Sequence, residues 1–358
     1  MSEWAASDFK KPDGTLNEAL VAGRETLYTG MNGQRVERLF LSTGERVIYK
    51  PLTNDSQLGR EAWVYARVLP MLPPIYPKLL AFSGIAMPNA EHAGLDIAAG
   101  AADSAGYGGA GEDGGWCLFE DLGTLSHAFD ADAAEALVPY IAQWHALPVD
   151  DLRDAPLLGP KPLIEALLAD VLDREDALRA ALSAALPEGE ALLERVLAPL
   201  RSGGALHASP PGWSRRVLSH GDLHLGNYAL AEGGLKVLDW EHAHLNSPYW
   251  DLYHLIDLSH PVFPKTMDAD VRGRLLDVYA SEAARWGMPA DGAAFKREYA
   301  RFAAVFSLWM LLLIEKDLAA LRRDAGLPAK WSPEQLRRQR TETLASIAQC
   351  AALLESAD

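Results

Sequence analysis

The sequence predicts an α+β protein of two lobes: a small five-stranded antiparallel sheet with one helix, then a large, mostly helical lobe. Three observations predict it. From Arg24 to Glu120 short apolar runs separated by turn residues carry the period of strands. After Gly123 the period becomes helical, interrupted only by a β-rich island at Val217–Trp240. The chain has no internal repeat, so the two regions are different structures, and 358 residues suffice to bury a core in each.

Residues 1–23 read as an N-terminal extension. Strands at Glu25–Thr29 and Arg35–Ser42 flank Gly30-Met31-Asn32-Gly33-Gln34, a hairpin signal. Thr43-Gly44-Glu45 turns the chain into a third strand, Arg46–Lys50, closed by Pro51. A helix is expected over Ser56–Leu69, because Leu58, Ala62, Tyr65 and Leu69 share one face and Pro70 stops it. Lys78–Ile85 and Trp116–Glu120 complete the sheet. Between them Glu91–Gly115 is too poor in large apolar residues to pack, so the N-terminal lobe, 24–119, is expected to carry 91–115 as a flexible hairpin insertion. Residues 120–123 are expected to connect the two lobes. The C-terminal lobe, 124–358, should hold helices at Ala131–Leu147, Pro162–Leu186, Glu188–Leu200, Asp268–Trp286, Asp291–Arg323 and Pro333–Ser356.

Composition narrows the function. A net charge of -16, from 33 Lys+Arg against 49 Asp+Glu, argues against nucleic acid, whose phosphates demand clustered cations. Two cysteines, Cys117 and Cys350, cannot build a disulfide framework, so a reducing cytoplasm is expected. The N-terminus lacks the apolar core of a signal peptide. The longest apolar stretch, Phe302–Ile314, is shorter than the ~20 residues of a spanning helix, so no membrane partner is expected. Nothing in the sequence sets an oligomeric state.

The island carries the chemistry. His220-Gly221-Asp222 ends the strand Arg216–Ser219, Asn227 follows within the same loop, and Asp239 ends the strand Leu235–Leu238. A turn at Glu232-Gly233-Gly234 makes a hairpin, which should return Asp239 to the level of Asn227 and Asp222. Mg2+ takes one or two carboxylates plus phosphates and water. Phosphoryl transfer also needs a carboxylate that orients the attacking hydroxyl and accepts its proton. Asp222 suits the second task, Asn227 and Asp239 the first. Singly, each would be read as a turn or cap residue; the spaced set is what points to a site.

His220–Asn227 and Leu238–Glu241 resemble the catalytic and metal-binding loops of the aminoglycoside/choline phosphotransferase family, whose fold is protein-kinase-like. The resemblance runs from about Arg24 to His260 and implies a set of roles. Asp222 would be the catalytic carboxylate; Asn227 and Asp239 would bind Mg2+; His220 and Asp251 would support the loop. Lys50 would steady the α- and β-phosphates of ATP or GTP, fixed by Glu61 on the next helix. The hinge resemblance would have adenine bond the backbone of Glu120 and Leu122, and Gly30 and Gly33 lie where a phosphate-covering loop belongs, although a plain β-turn explains them equally. His145 is read as structural.

The function expected is Mg-dependent transfer of a γ-phosphoryl group to a hydroxyl of a small molecule: an aminoglycoside, a choline-like amino alcohol or a sugar. Acidic composition and the aromatics Trp240, Tyr249, Trp250 and Trp309 would suit a cationic acceptor, though aromatics in a helical lobe are more often core. A zinc site at His242 and His244 with Asp239 or Asp257 follows no standard template. A catalytically silent binding module would have lost the base, the metal Asp or the Lys, and this chain keeps all of them. A kinase acting on protein would need a longer segment between Asp239 and Asp251.

Overall fold

Val21–Thr29 (β1), Arg35–Leu41 (β2) and Arg46–Pro51 (β3) follow one another as strands, with Leu39, Leu41 and Val47 buried and most of β1 exposed. With Leu79–Phe82 (β4) and Trp116–Glu120 (β5) they form an antiparallel sheet of order β1-β2-β3-β5-β4. The computed structural model describes residues 6–29, 33–52, 60–83, 115–152, 161–201, 211–288, 291–323 and 330–355. The chain divides into two units: residues 1–126, 150–160 and 230–243 in the first, and 127–149, 161–229 and 244–358 in the second.

In the first unit one face of the sheet packs Leu39, Leu41, Val47, Ala81, Trp116 and Leu118 together. The segment read as an extension joins this core through Phe9 and Leu16, and Trp116 Nε1 donates to Gly14 O at 3.2 Å. The helix expected at Ser56–Leu69 is irregular where it is described. One α turn, Arg60–Trp63 (α1), widens into a π turn at Val64–Val68 and tightens to a 3-10 turn at Leu69–Met71, where Pro70 prevents continuation. The part of that helix before Arg60 and the 91–115 insertion lie outside the described residues.

The second unit is helical around a two-stranded sheet of Val217–Ser219 (β6) and His244–Asn246 (β9), which pair antiparallel with Ser219 opposite His244. Tyr228–Ala231 (β7) and Gly234–Val237 (β8) form a second small sheet, and the division between units runs through β7. The helices are Ala131–His145 (α2), Ile164–Asp173 (α3), Glu175–Ala185 (α4), Gly189–Arg201 (α5), Pro211–Ser214 (α6), Pro248–Ile256 (α7), Ala269–Arg285 (α8), Gly292–Arg323 (α9) and Pro333–Glu355 (α10). The single helix expected over Pro162–Leu186 is two. Arg174 leaves helical geometry (φ -116°, ψ 27°), and its guanidinium takes the carbonyl and carboxylate of Asp170. Gly189 opens α5 because a Cβ there would lie 2.3 Å from Leu182 O. Among the described residues no helix is long and apolar enough to cross a membrane.

Candidate active site

Asp222 follows β6, and the turn that delivers it needs Gly221, whose φ of +87° other residues rarely adopt. Asp251, on α7 and fully buried, holds that turn. Its carboxylate accepts from Ser219 Oγ (2.6 Å), His220 N (2.9 Å), Gly221 N (3.1 Å), Trp144 Nε1 (3.0 Å) and His145 Nε2 (3.2 Å). Burial alone would raise its pKa; the bonds from His145, and the charges and donors around it, outweigh burial and hold it below the usual carboxylate range. Because Nε2 of His145 donates to this carboxylate, Nδ1 accepts from Tyr279 OH at 2.8 Å. Trp250 Nε1 completes the clamp on Gly221 O at 3.0 Å. The helix that carries Asp251 left no periodic signal, because all nine residues of α7 are buried.

Asn227 lies in the same unit. Its Nδ2 donates to Asp222 O at 2.8 Å, which leaves Oδ1 as the side chain's acceptor. His220 Nδ1 accepts from Asp222 N at 3.3 Å, and His224 Nδ1 accepts from Gly226 N at 2.9 Å. Three side-chain nitrogens surround the Asp222 carboxylate: Lys161 Nζ at 3.6 Å, His224 Nε2 at 3.7 Å and His254 Nε2 at 3.9 Å. Lys161 and His254 were not among the residues expected at the site, and no local motif marks either of them.

Burial pushes the His254 pKa down from 6.5 to about 4, against the attraction of Asp222. Between these values the unfolded chain binds a proton that the folded protein does not, so stability falls as pH drops from 6.5 toward 4. At pH 5 His254 alone should cost on the order of 2 kcal/mol. Thermal melts from pH 7 to 5 should show a fall in Tm that is smaller in His254→Phe; an equal fall would refute this account.

In the first unit Lys50 Nζ meets three carboxylates: Glu61 at 2.8 Å, Asp239 at 2.6 Å and Glu241 at 3.3 Å. Lys50, next to last in its strand, lies opposite Cys117, and Glu61 is 1% exposed on α1. Asp239 has φ 60° and ψ 63°, the only positive φ of a non-glycine among the described residues. Such a conformation costs energy and persists where surrounding structure dictates it. Val237 N donates to Ile75 O at 2.6 Å and Lys236 Nζ to Pro74 O at 2.9 Å, which anchors the strand leading to Asp239. Burial favours loss of the Lys50 proton, yet Asp239, Glu61 and Glu241 raise its pKa well above 10.5. Burial raises Glu61 to about 7, with Lys50 opposing.

Lys50→Met should therefore cost the fold only about 1–2 kcal/mol, less than the 3–5 of a typical broken buried pair, because Glu61 can take up a proton. Its main effect should be nucleotide affinity lower by roughly 10- to 100-fold, measured by calorimetry. Unchanged affinity would remove Lys50 from the site. Glu241, part of the motif but not expected as a site residue, completes this cluster.

The connector is pinned by charge. Asp121, whose side chain is 3% exposed, receives Arg38 Nε at 2.8 Å and Gly123 N at 2.9 Å. Glu120 N donates to Lys78 O, and Glu120 Oε1 accepts from Lys78 N, which fixes the peptide between Glu120 and Leu122. Gly33 has φ +79°, a turn requirement independent of any ligand; Gly30 lies outside the described residues.

Trp240, Tyr249 and Trp250 are buried in the core, and Trp309 Nε1 donates to Asp170 Oδ2. Among the described residues the one group able to gather three metal-ligating atoms is Glu61, Asp239 and Glu241, all oxygen ligands. His244 Nε2 is bonded to Asn246 and Asp257 to Arg272, so that group contains no histidine of a zinc type.

A family model described as the phosphotransferase enzyme family matches residues 90–289, more than half of the chain, and the chain belongs to that family. It is a phosphotransferase, an enzyme, on a protein-kinase-like α+β fold. No curated protein matches the sequence. Solved structures share the fold at low identity. A candidate aminoglycoside phosphotransferase from Ralstonia eutropha JMP134 has a TM-score of 0.57 at 13% identity, covering 93% of this chain and 95% of that one. An aminoglycoside phosphotransferase from Alicyclobacillus acidocaldarius has 0.56 at 12%, covering 98% and 93%. A choline kinase from Cryptosporidium parvum has 0.53 at 12%, covering 98% and 94%.

Proposed function

We propose that the protein moves the γ-phosphoryl group of ATP or GTP to a hydroxyl of a small molecule, with Asp222 as the base. The observation that carries this reading is the Asp251 clamp. A fully buried carboxylate binds the peptide groups of His220 and Gly221 and so fixes the loop that presents Asp222. In the reaction the bond from γ-phosphorus to the β-phosphate oxygen breaks, a bond to the acceptor oxygen forms, and Asp222 takes the hydroxyl proton. The nucleoside diphosphate leaves. Catalysis of this kind is mostly positioning and charge stabilisation.

The donor set fits magnesium: Asp239 and Glu241 are hard oxygen ligands, and Asn227, whose Nδ2 donates to Asp222 O, has an amide oxygen to offer. We assign Asn227 and Asp239 to the ion, which when bound neutralises phosphate charge. Lys50, oriented by Glu61, steadies the α- and β-phosphates, and the backbone of Glu120 and Leu122 bonds adenine. Gly30 and Gly33 belong to the loop over the phosphates. A reducing cytoplasm suits the two free, buried cysteines, Cys117 and Cys350.

Asp239→Ala tests the metal assignment. Nucleotide binding in the presence of Mg2+ should weaken at least ~100-fold and become insensitive to Mg2+. Retained Mg2+ dependence would place the ion elsewhere.

A further inference from the structure

Of the three nitrogens around the Asp222 carboxylate, two belong to uncharged rings. His224 Nδ1 accepts from Gly226 N at 2.9 Å, so its one ring hydrogen sits on Nε2, 3.7 Å from Asp222 Oδ2. His254 Nδ1 lies 2.8 Å from Trp250 O, and burial holds that ring neutral down to about pH 4. Lys161 therefore brings the one positive charge of the three, with Nζ 3.6 Å from Asp222 Oδ1. At that separation the pair is ionic, not hydrogen-bonded, and an ammonium has three N–H donors to offer. The side chains of Lys161 and Asp222 are 26% and 24% exposed, so a ligand can reach both.

The backbone holds Lys161 in this place. It precedes Pro162, which confines it to extended geometry. Pro162 O accepts from Asn246 Nδ2 at 3.4 Å, and Asn246, 1% exposed, lies on β9 opposite Val217 of β6. Strand β6 leads into Asp222, so base and ammonium are anchored to the same two-stranded sheet. Taken alone, an ammonium beside a base is unfavourable to catalysis, because it favours the charged carboxylate and opposes proton uptake. It becomes favourable if an anionic oxygen is within its reach when the base is neutralised. A phosphoryl group in transfer carries charge on three oxygens at that moment. An interaction that strengthens along the reaction in this way raises kcat.

We propose that Lys161 is a catalytic residue: paired with Asp222 before the reaction, it passes to an oxygen of the transferred phosphoryl group as Asp222 takes the acceptor's proton. The bond from γ-phosphorus to the bridging oxygen breaks, and its electron pair stays with the β-phosphate. The acceptor oxygen bonds to phosphorus and its proton goes to Asp222, while Lys161 keeps its protons throughout. This assignment rests on the phosphotransferase reading above and adds to it a group outside the His220–Asn227 loop.

The test uses the full chain with Mg2+ and ATP or GTP. The acceptor is whichever of choline, ethanolamine, glucose, inositol and an aminoglycoside gives most nucleoside diphosphate, or water where none does. Diphosphate release and nucleotide affinity are measured for wild type, Lys161→Met, Lys161→Arg, Asp222→Asn and the Lys161→Met/Asp222→Asn double variant. Lys161→Met should lower kcat about 10²-fold and leave the nucleotide dissociation constant within ~3-fold. It should melt near wild type, because the ion pair is partly exposed. Lys161→Arg, which keeps the charge, should recover part of the loss. In the Asp222→Asn background Lys161→Met should still lower kcat by about 10-fold or more, because the ammonium acts on the phosphoryl group and not through the carboxylate. Wild-type kcat in Lys161→Met overturns the proposal. So does an equal fall in kcat and affinity, no recovery with arginine, or no further loss in the Asp222→Asn background. The underlying reading fails differently: diphosphate release, with water or any acceptor, would then be the same in wild type and Asp222→Asn.

Discussion

Asp222→Asn is expected to lower kcat by about 10³-fold while leaving the nucleotide dissociation constant within a few-fold of wild type. The amide keeps the shape of the carboxylate and still accepts a hydrogen bond, but it cannot take the proton. Asn227 Nδ2 and His224 N both bond the backbone oxygen of residue 222, not its side chain, so the loop should survive the change. The loss therefore belongs to the chemical step. Rapid-quench measurement of the first turnover, with nucleotide binding followed in parallel by calorimetry, separates the two quantities. An equal fall in kcat and affinity would mean that the residue holds the nucleotide instead.

Asp251→Ala should have the largest effect on the fold. The carboxylate satisfies donors from Ser219, His220, Gly221, Trp144 and His145 inside a region without solvent. Removing it takes from those buried donors the acceptor they share, at a cost of about 3–5 kcal/mol. Tm should fall by roughly 8 °C or more. Asp251→Asn should be intermediate in stability, because an amide keeps one acceptor oxygen but points a donor at donors. Activity should fall further than stability in both variants, since the His220–Gly221 peptide loses its anchor. A variant that melts like wild type would show that the turn is held by Gly221 and Trp250 alone.

Much of this was legible because several residues announce themselves locally. Glycine at 221 and the spacing of Asp222, Asn227 and Asp239 mark a loop and a strand end, and both are present. The β1-β2-β3 part of the sheet follows from turns at Gly33 and Gly44, each with positive φ. The remainder depended on tertiary structure. Helix α7 is buried on every side, so it showed no amphipathic period, and with it His254 stayed hidden. Lys161 approaches Asp222 from a segment distant in sequence, which no spacing rule anticipates. The Arg174 break replaces a helix bond by a side-chain bond, and helical propensity alone cannot foresee that exchange. Trp240, Tyr249 and Trp250, which would have suited a cation, are core residues because large aromatics contribute most to a helical interior.

The central claim is that Asp222 serves an acceptor hydroxyl. Phosphorus NMR of wild-type enzyme with Mg2+, ATP or GTP and a panel of sugars, hydroxylated amines and antibiotics tests it most directly. A new phosphomonoester resonance should appear with at least one acceptor, together with nucleoside diphosphate, and should be absent over the same interval with Asp222→Asn. Tight nucleotide binding with no phosphomonoester from any acceptor, or equal product from the Asn variant, would contradict it.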